Sequence, residues 1–346
     1  MLKAGVVGCG HLGKIHTKLL FQSENYKLIG VYDINAELSN EIAKEYGCKA
    51  YTGFEEMLND IEVLDIVTPT PFHFNYAKKA IDKGIHLFIE KPVCSNTEES
   101  TELLRLSESN NIKIQVGHVE RFNPAYITVE ENISKPMFIE SHRLAKFNPR
   151  GTDVSVVLDL MIHDIDIILN SVKSPVKTIS SNGISVISDS PDIANARIEF
   201  ENGCVANLTA SRVSLKNMRK TRFFQSGKYI SVDFLNREAE VIEIDEKKSE
   251  LPIMILEAEN GKKKKIYFSK PQISENNAIL DELNSFALSI KNNEKPRVDI
   301  SDGHNALDVA IKIIKNFKEK IAHVHCKDMR ENVLKLSLIH ISEPTR

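Results

Sequence analysis

No run of about 18 apolar residues occurs in this 346-residue chain, so no segment is expected to cross a bilayer as a helix. Cysteine is scarce and scattered. Cys9, Cys48, Cys94, Cys204 and Cys326 include no CxxC pair, an odd set that fits reduced thiols in a cytoplasm better than a disulfide framework. Neither sign of charge is in surplus: 45 Lys and Arg stand against 48 Asp and Glu, a formal net charge of −3. A general nucleic-acid binder instead shows a strongly basic domain. Internal repeats, a low-complexity linker and a basic leader are also missing, and the chain opens directly on the strand-like run Leu2–Val7. The 42% of hydrophobic residues suffices for a buried core. At ~100–200 residues per domain, the length predicts a cytoplasmic protein of two tightly joined domains, with neither nucleic acid nor membrane as partner.

Residues 1–119 alternate short apolar runs (Leu2–Val7, Lys27–Tyr32, Val63–Thr68, Ile85–Ile89, Ile112–Val116) with helical patterns (Lys14–Phe21, Ala36–Tyr46, Phe54–Asn59, Phe74–Lys83, Thr97–Ser109). Apolar runs separated by helices predict a parallel sheet in an α/β domain. Residues 120–335 change texture. Alternating strands are expected at Ala194–Phe200, Cys204–Ala210, Tyr229–Phe234 and Ala239–Asp245, with hairpin turns at Asn202-Gly203 and Asn260-Gly261. Helices return at Ile279–Lys291 and Gly303–Ile321. This pattern predicts an α+β domain with a large, mostly antiparallel open sheet. Lys262–Lys265 reads as a solvated sheet edge that discourages aggregation. Residues 336–346, LSLIHISEPTR, match a one-frame translation of a transposase adapter used in DNA sequencing and are set aside from the fold.

Gly8-Cys9-Gly10-His11-Leu12-Gly13 is a GxGxxG that directly follows the first strand and opens a helix. In that setting Gly8 permits the tight turn, Gly10 lets backbone approach a pyrophosphate, and Gly13 lets helix and strand pack closely. The helix N-terminus offers free N–H groups to phosphates. Asp33 sits twenty residues past Gly13, at the end of the second strand. A carboxylate there accepts hydrogen bonds from ribose hydroxyls and repels a 2′-phosphate, and Asn35 brings no cation to hold one. The expected cofactor is therefore NAD rather than NADP.

Three further motifs sit where catalysis would need them. Thr68-Pro69-Thr70-Pro71-Phe72-His73 ends the third strand, and Glu90-Lys91-Pro92 ends the fourth, pointing a charged pair into the crevice where such sheets bind ligands. Asp159, His163 and Asp166 recur at i, i+4 and i+7 in an expected helix from Val156 to Val172, which would place them on one face. An Asp one turn from a His can orient the imidazole and fix its tautomer, as a general base requires. His323-Val324-His325-Cys326 has no companion ligands, so no metal is assigned.

In this order and spacing, the GxGxxG with His16 following, the TPTxxH, the EKP and the DxxxH resemble the Gfo/Idh/MocA oxidoreductases over essentially residues 2–325. The resemblance implies a Rossmann domain, then a domain whose open sheet mediates homo-oligomerisation. It also implies that Lys91, Asp159 and His163 line the place where a sugar hydroxyl meets the nicotinamide. In that scheme His163 is the base, Asp159 orients it, and Lys91 hydrogen-bonds the same oxygen. Further cofactor contacts are implied at His11, Leu12, Thr68, Pro69, His73, Glu90 and His118. Met161-Ile162 replace the small residue usual before the family's histidine, a departure that bears on substrate shape.

Arg121, Arg143, Lys146 and Arg150, concentrated just before the catalytic helix, could grip a phosphorylated or nucleotide-linked sugar, because Arg forks bind phosphate bidentately. The stretches His142–Ala145 and Val157–Asp164 are similar to those of bacterial UDP-N-acetylglucosamine 3-dehydrogenases. Those enzymes make a 3-keto sugar nucleotide that a partner aminotransferase converts for lipid A synthesis. Two alternatives remain open: a polyol or free-sugar dehydrogenase of the same family, and a non-catalytic NAD-binding sensor. Intact Lys91, Asp159 and His163 argue against the sensor.

Overall fold

The computed structural model describes residues 1–148, 154–245, 251–257 and 263–317. The first part of the chain runs β1 (Leu2–Val7), α1 (His11–Gln22), β2 (Tyr26–Tyr32), α2 (Ala36–Tyr46), β3 (Lys49–Ala50), α3 (Phe54–Leu58), β4 (Val63–Ile66), α4 (His73–Ile81), β5 (His86–Glu90), α5 (Thr97–Ser109) and β6 (Ile114–Gly117). Local chemistry sets these limits. Asn35 caps α2 by accepting the Glu37 amide, and Gly47 ends that helix in the left-handed conformation. The six strands form one parallel sheet in the order β3-β2-β1-β4-β5-β6. The strand order reverses between β1 and β4, which opens a crevice at the carboxyl ends of the strands.

The second part runs α6 (Pro124–Glu130), β7 (Phe138–Leu144), α7 (Ile162–Val172), β8 (Val176–Ile184), β9 (Ile193–Phe200), β10 (Val205–Ser211), β11 (Met218–Gln225), β12 (Lys228–Asp233), β13 (Glu238–Ile244), β14 (Met254–Glu257), β15 (Lys263–Ser269) and α8 (Ala278–Lys291). The strands form a nine-stranded sheet, antiparallel except where β7 and β10 pair in parallel. Alternation along β9 and β10 turns Ala194, Ala196, Ile198, Ala206, Leu208 and Ala210 inward against the buried isoleucines of α7. The Asn202-Gly203 turn joins β9 to β10 as expected, with Gly203 at φ 86°. The Asn260-Gly261 turn lies outside the described residues.

Three expectations are corrected. Lys263–Lys265 is not a sheet edge, because β14 pairs on the outer side of β15. The helix predicted as uniform from Val156 begins with a π turn over Val157–Met161 before α7. The division near residue 119 separates the two sheets but not the whole chain. Helix α8 returns to the first sheet and buries Leu283, Phe286 and Ala287 with Leu20 and Phe88. The helical stretch 300–317 gives Leu307 to the first core and Ala306, Ala310, Ile313 and Phe317 to the second, fixing one sheet against the other.

This return also buries a carboxyl. Glu282 on α8 is 1% exposed and neither carboxyl oxygen has a partner; burial, aided by Glu90 nearby, pushes its pKa well above the usual carboxylate range. A carboxyl that takes its proton more tightly when folded costs stability as pH rises above its unfolded value near 4. Glu282→Gln is therefore expected to raise Tm, with a larger gap over the parent protein at pH 7–8 than at pH 4–5. Calorimetric melting across that range checks it, and a constant or inverted gap would contradict a neutral buried acid.

Candidate active site

The glycine loop has the shape its spacing predicts. Gly8 sits at φ 101°, and a Cβ there would meet the Val67 carbonyl oxygen at 2.7 Å. A Cβ on Gly13 would lie 1.9 Å from the Gly8 oxygen, whereas Gly10 faces open space. The first turn of α1 carries no acidic residue and no side chain caps it, so its N–H groups are free for an anion. His11 and Leu12 lie exposed at the same helix start. Asp33 holds this loop from the next strand: Cys9 N–H donates to Oδ2 at 2.6 Å and Asn35 N–H to Oδ1 at 2.8 Å. Each carboxylate oxygen keeps a lone pair for a ribose hydroxyl. Ile34 beside it is 84% exposed.

The loops after β4, β5 and β6 close the far side of the crevice. His73 is buried and ties two of them together, its ring nitrogens 2.7 Å from the Thr68 carbonyl oxygen and 3.0 Å from that of Pro92. It therefore sits beneath the crevice as a staple, while Pro69 is exposed above it. Thr68 Oγ1 and both ring nitrogens of His118 are buried without partners. Burial pushes both His73 and His118 below the ordinary histidine range. Glu90 Oε2 accepts the Lys91 N–H at 3.0 Å.

Lys91 reaches from β5 to the π turn. Its Nζ donates to the Asp159 carbonyl oxygen at 2.8 Å and lies 3.7 Å from Asp159 Oδ1. Burial lowers the Lys91 pKa, opposed by Asp159 and Glu90. His163 is half-buried with Nδ1 unpartnered. Burial, with Lys91 and Arg143 next, drives its pKa well below the ordinary value. The structure thus brings Lys91, Asp159 and His163 together, but no hydrogen bond joins Asp159 to His163 among the described residues. The expected orienting role of Asp159 is corrected: it holds Lys91. The three polar residues do not share one face either, because Asp166 is buried away from the cleft.

The basic cluster is corrected more deeply. Arg121 forms a two-pronged pair with Asp166, at 2.7 and 3.0 Å. Arg143 forms one with Asp164, at 2.9 and 3.0 Å, and reaches Glu120 at 2.9 Å. All five side chains are buried. These arginines answer the carboxylates of α7 and so fix the helix that presents His163; neither offers a free fork to a phosphate. Lys146 is exposed, and Arg150 lies outside the described residues, as do His323–Cys326. Among the described residues no cluster suited to a metal ion occurs, and no helix is long and apolar enough to cross a membrane.

One residue went unread in the sequence. Arg219 pairs directly opposite Arg143 in the β11–β7 register and shares its face. Its side chain is 49% exposed, 3.6 Å from Glu120, and close enough to help depress His163. MRKTRFFQ shows no clean alternation, so β11 and the position of Arg219 were not legible.

A free helix N-terminus, open space over Gly10, a carboxylate at the end of β2 and unpartnered polar atoms on Thr68, His118 and His163 fit a dinucleotide laid across the crevice. Residues 2–118 match the model of an oxidoreductase family with an NAD-binding Rossmann fold, and residues 132–228 match the GFO/IDH/MocA C-terminal domain. The UDP-N-acetylglucosamine 3-dehydrogenase of Acidithiobacillus ferrooxidans is 37% identical over 236 residues, covering 68% of this chain and 75% of that protein. This chain belongs to the GFO/IDH/MocA oxidoreductase family. The solved structure of the same Acidithiobacillus enzyme superposes with a TM-score of 0.83 over 92% of this chain and 98% of its own. The scyllo-inositol dehydrogenase of Lactobacillus casei, solved with NAD(H) and scyllo-inositol, shares the fold at TM-score 0.74 and 21% identity over 92% of this chain and 98% of its own. As a member, this chain is an NAD-dependent oxidoreductase whose first domain is the family's Rossmann domain.

Asp33 sets the expected choice between dinucleotides. Asp33→Ser with Ile34→Arg removes the repulsive carboxylate and adds a phosphate partner, so preference should move from NAD toward NADP by at least tenfold, about 1.4 kcal/mol. Calorimetric titration of both cofactors reads it; NADP already binding the parent protein more tightly than NAD would contradict this role.

Proposed function

We propose that this oxidoreductase uses NAD to oxidise the 3-hydroxyl of UDP-N-acetylglucosamine to a ketone. The observation that carries the chemistry is a half-buried His163 with an unpartnered Nδ1, one turn after the Asp159 carbonyl that holds the Lys91 ammonium. NAD supplies the hydride acceptor. His163, its pKa depressed, takes the hydroxyl proton, and Lys91 hydrogen-bonds the oxygen and favours the negative charge developing there. Asp159 holds Lys91 at the mouth of the cleft, and Arg121 and Arg143 hold α7 rigid, so the two groups keep their geometry without substrate. The substrate is inferred from the Acidithiobacillus relative and from two exposed cations, Arg219, which lies half-exposed 3.6 Å from Glu120, and Lys146.

A polyol or free sugar is the second reading. Arg121 and Arg143 are consumed by carboxylates, which reduces the cation available for a diphosphate, and a Bacillus subtilis scyllo-inositol 2-dehydrogenase is 29% identical over 62% of this chain and 68% of its own. Turnover followed by NADH formation, with a glutamate-dependent aminotransferase consuming the keto product, separates the two. Saturable oxidation of UDP-N-acetylglucosamine, with free N-acetylglucosamine and inositol poor, is the expected result. Arg219→Ala should raise KM for the UDP-sugar by about 10–100-fold, the loss of a charge-assisted hydrogen bond, and leave NAD affinity unchanged. Turnover of inositol alone would overturn the assignment.

The wider setting follows from the same reading. The ketone is a substrate for transamination, as lipid A precursors with an amino group at that carbon require, so an aminotransferase is the proposed partner in a bacterial cytoplasm. The open face of the nine-stranded sheet, with Phe138, Phe224 and Tyr229 packed ring to ring, is the proposed surface for a second copy of the chain.

A further inference from the structure

His16 lies on α1 beneath the glycine loop with no exposed surface. Carboxylates from two strands face its two ring nitrogens: Asp65 Oδ2 of β4 is 2.9 Å from Nδ1, and Glu90 Oε1 of β5 is 3.3 Å from Nε2. Phe88 meets the ring edge-on at 5.6 Å. A neutral imidazole has one N–H and one lone pair, so it would turn that lone pair on one of the anions. The imidazolium instead donates from Nδ1 to Asp65 and turns its second N–H, without a hydrogen bond, toward the Glu90 carboxylate 3.3 Å away. Burial pulls against the charge, but Asp65 and Glu90 outweigh it and hold His16 well above the ordinary histidine range.

Glu90 is the middle of a chain. Oε1 meets His16 while Oε2 accepts the Lys91 N–H, and Lys91 Nζ continues to Asp159. Strand β6 leaves room for this carboxylate, since a Cβ on Gly117 would lie 2.7 Å from Glu90 Oε1. From Asp65 to Asp159, groups of α1, β4, β5 and the π turn thus follow one another under the site: Asp65 pairs with His16, Glu90 faces His16 and holds Lys91 by its backbone N–H, and Lys91 Nζ donates to the Asp159 carbonyl oxygen.

We propose that His16 is a positioning residue: as an imidazolium it keeps Glu90 ionised and in place, and Glu90 in turn keeps Lys91 a charged, correctly aimed hydrogen-bond donor. The importance of the donor rests on the function proposed above; the coupling of the three side chains does not. Other groups around the series do not replace His16. Glu282 of α8, which feels both His16 and Glu90, is pushed toward its neutral form by burial, as is Tyr26 near Asp65. His73 and His118 near Glu90 are pushed toward neutrality by burial. Around Lys91, Asp159 favours the ammonium while Arg143 opposes it, and His163 is neutral.

The signs follow. Without the His16 cation, Glu90 takes up a proton, the Lys91 ammonium loses the field of that carboxylate, and the Lys91 pKa falls. NMR titration of protein carrying carbon-13 at lysine Cε, with the Lys91 signal assigned through Lys91→Met, reads this in the absence of any substrate. His16→Asn, Glu90→Gln and the double variant should each lower the Lys91 pKa by about one pH unit or more, the effect of removing one adjacent opposite charge, and by the same amount. If His16→Asn fails to fold, the titration of His16 in nitrogen-15 histidine-labelled protein still decides: the ring should remain an imidazolium at pH 8 in the parent and titrate lower in Glu90→Gln. With a turned-over substrate, the alkaline limb of kcat/KM should move down with Lys91 while NAD affinity stays within about threefold, roughly 0.7 kcal/mol. An unshifted Lys91 in His16→Asn, effects that add in the double variant, or a His16 ring already neutral at pH 7 would overturn the proposal. Absence of turnover with coupled titrations intact would overturn the proposed function instead.

Discussion

Arg143→Ala is expected to lower Tm by roughly 6–20 °C. The guanidinium is buried between Asp164 and Glu120, and deleting it leaves Asp164 without its two-pronged partner in a place water does not reach. Breaking a buried pair by removing one member costs about 3–5 kcal/mol, and each kcal/mol moves Tm by about 2–4 °C in a protein of this general size. Arg219, 3.6 Å from Glu120, compensates one carboxylate only in part. Arg143→Met combined with Asp164→Leu should recover much of the loss, because no uncompensated charge then remains at that pair. Melting by circular dichroism reads both variants. An Arg143→Ala protein that melts like its parent and shows only a raised KM would mean that the residue serves substrate rather than α7.

His163→Ala is expected to lower kcat by about 10²–10⁴-fold, the usual contribution of a positioned acid–base group, with NAD affinity unchanged in calorimetry. The depressed pKa of His163 fixes the pH dependence. A base works in its deprotonated form, so activity of the parent should persist below pH 6.5 and fall only where His163 finally takes a proton. In His163→Ala that acid limb should disappear from kcat/KM. A loss under tenfold, or an acid limb that survives the substitution, would assign the proton transfer to another group.

Both expectations turn on residues the sequence displays but cannot place. The first sheet was legible because a doubly covered parallel strand must be largely apolar, as in Leu87–Ile89, and because Gly8 and Gly13 have backbone reasons to be glycine. The DxxxH helix was legible as a helix but not as a π turn, since the apolar pattern of Val157–Met161 suits either. Arg121 and Arg143 look like free cations in sequence. Their carboxylates lie 45 and 21 positions away on α7, and nothing local distinguishes a buried fork from an exposed one. The same distance hid the partners of His16, which stands in a recognisable motif while its chemistry depends on Asp65 and Glu90. Arg219 was hidden by a strand whose basic opening masks its alternation.

The most direct test of a sugar-nucleotide dehydrogenase is the fate of one hydrogen. UDP-N-acetylglucosamine carrying deuterium at carbon 3 is incubated with the protein, NAD and the aminotransferase trap, and the reduced cofactor is analysed by mass spectrometry. Hydride transfer between Lys91 and His163 predicts NADH that carries the deuterium, absent when His163→Ala replaces the parent. Reduced cofactor without the label, or label acquired only from deuterated inositol, would contradict oxidation of the 3-hydroxyl of the UDP-sugar.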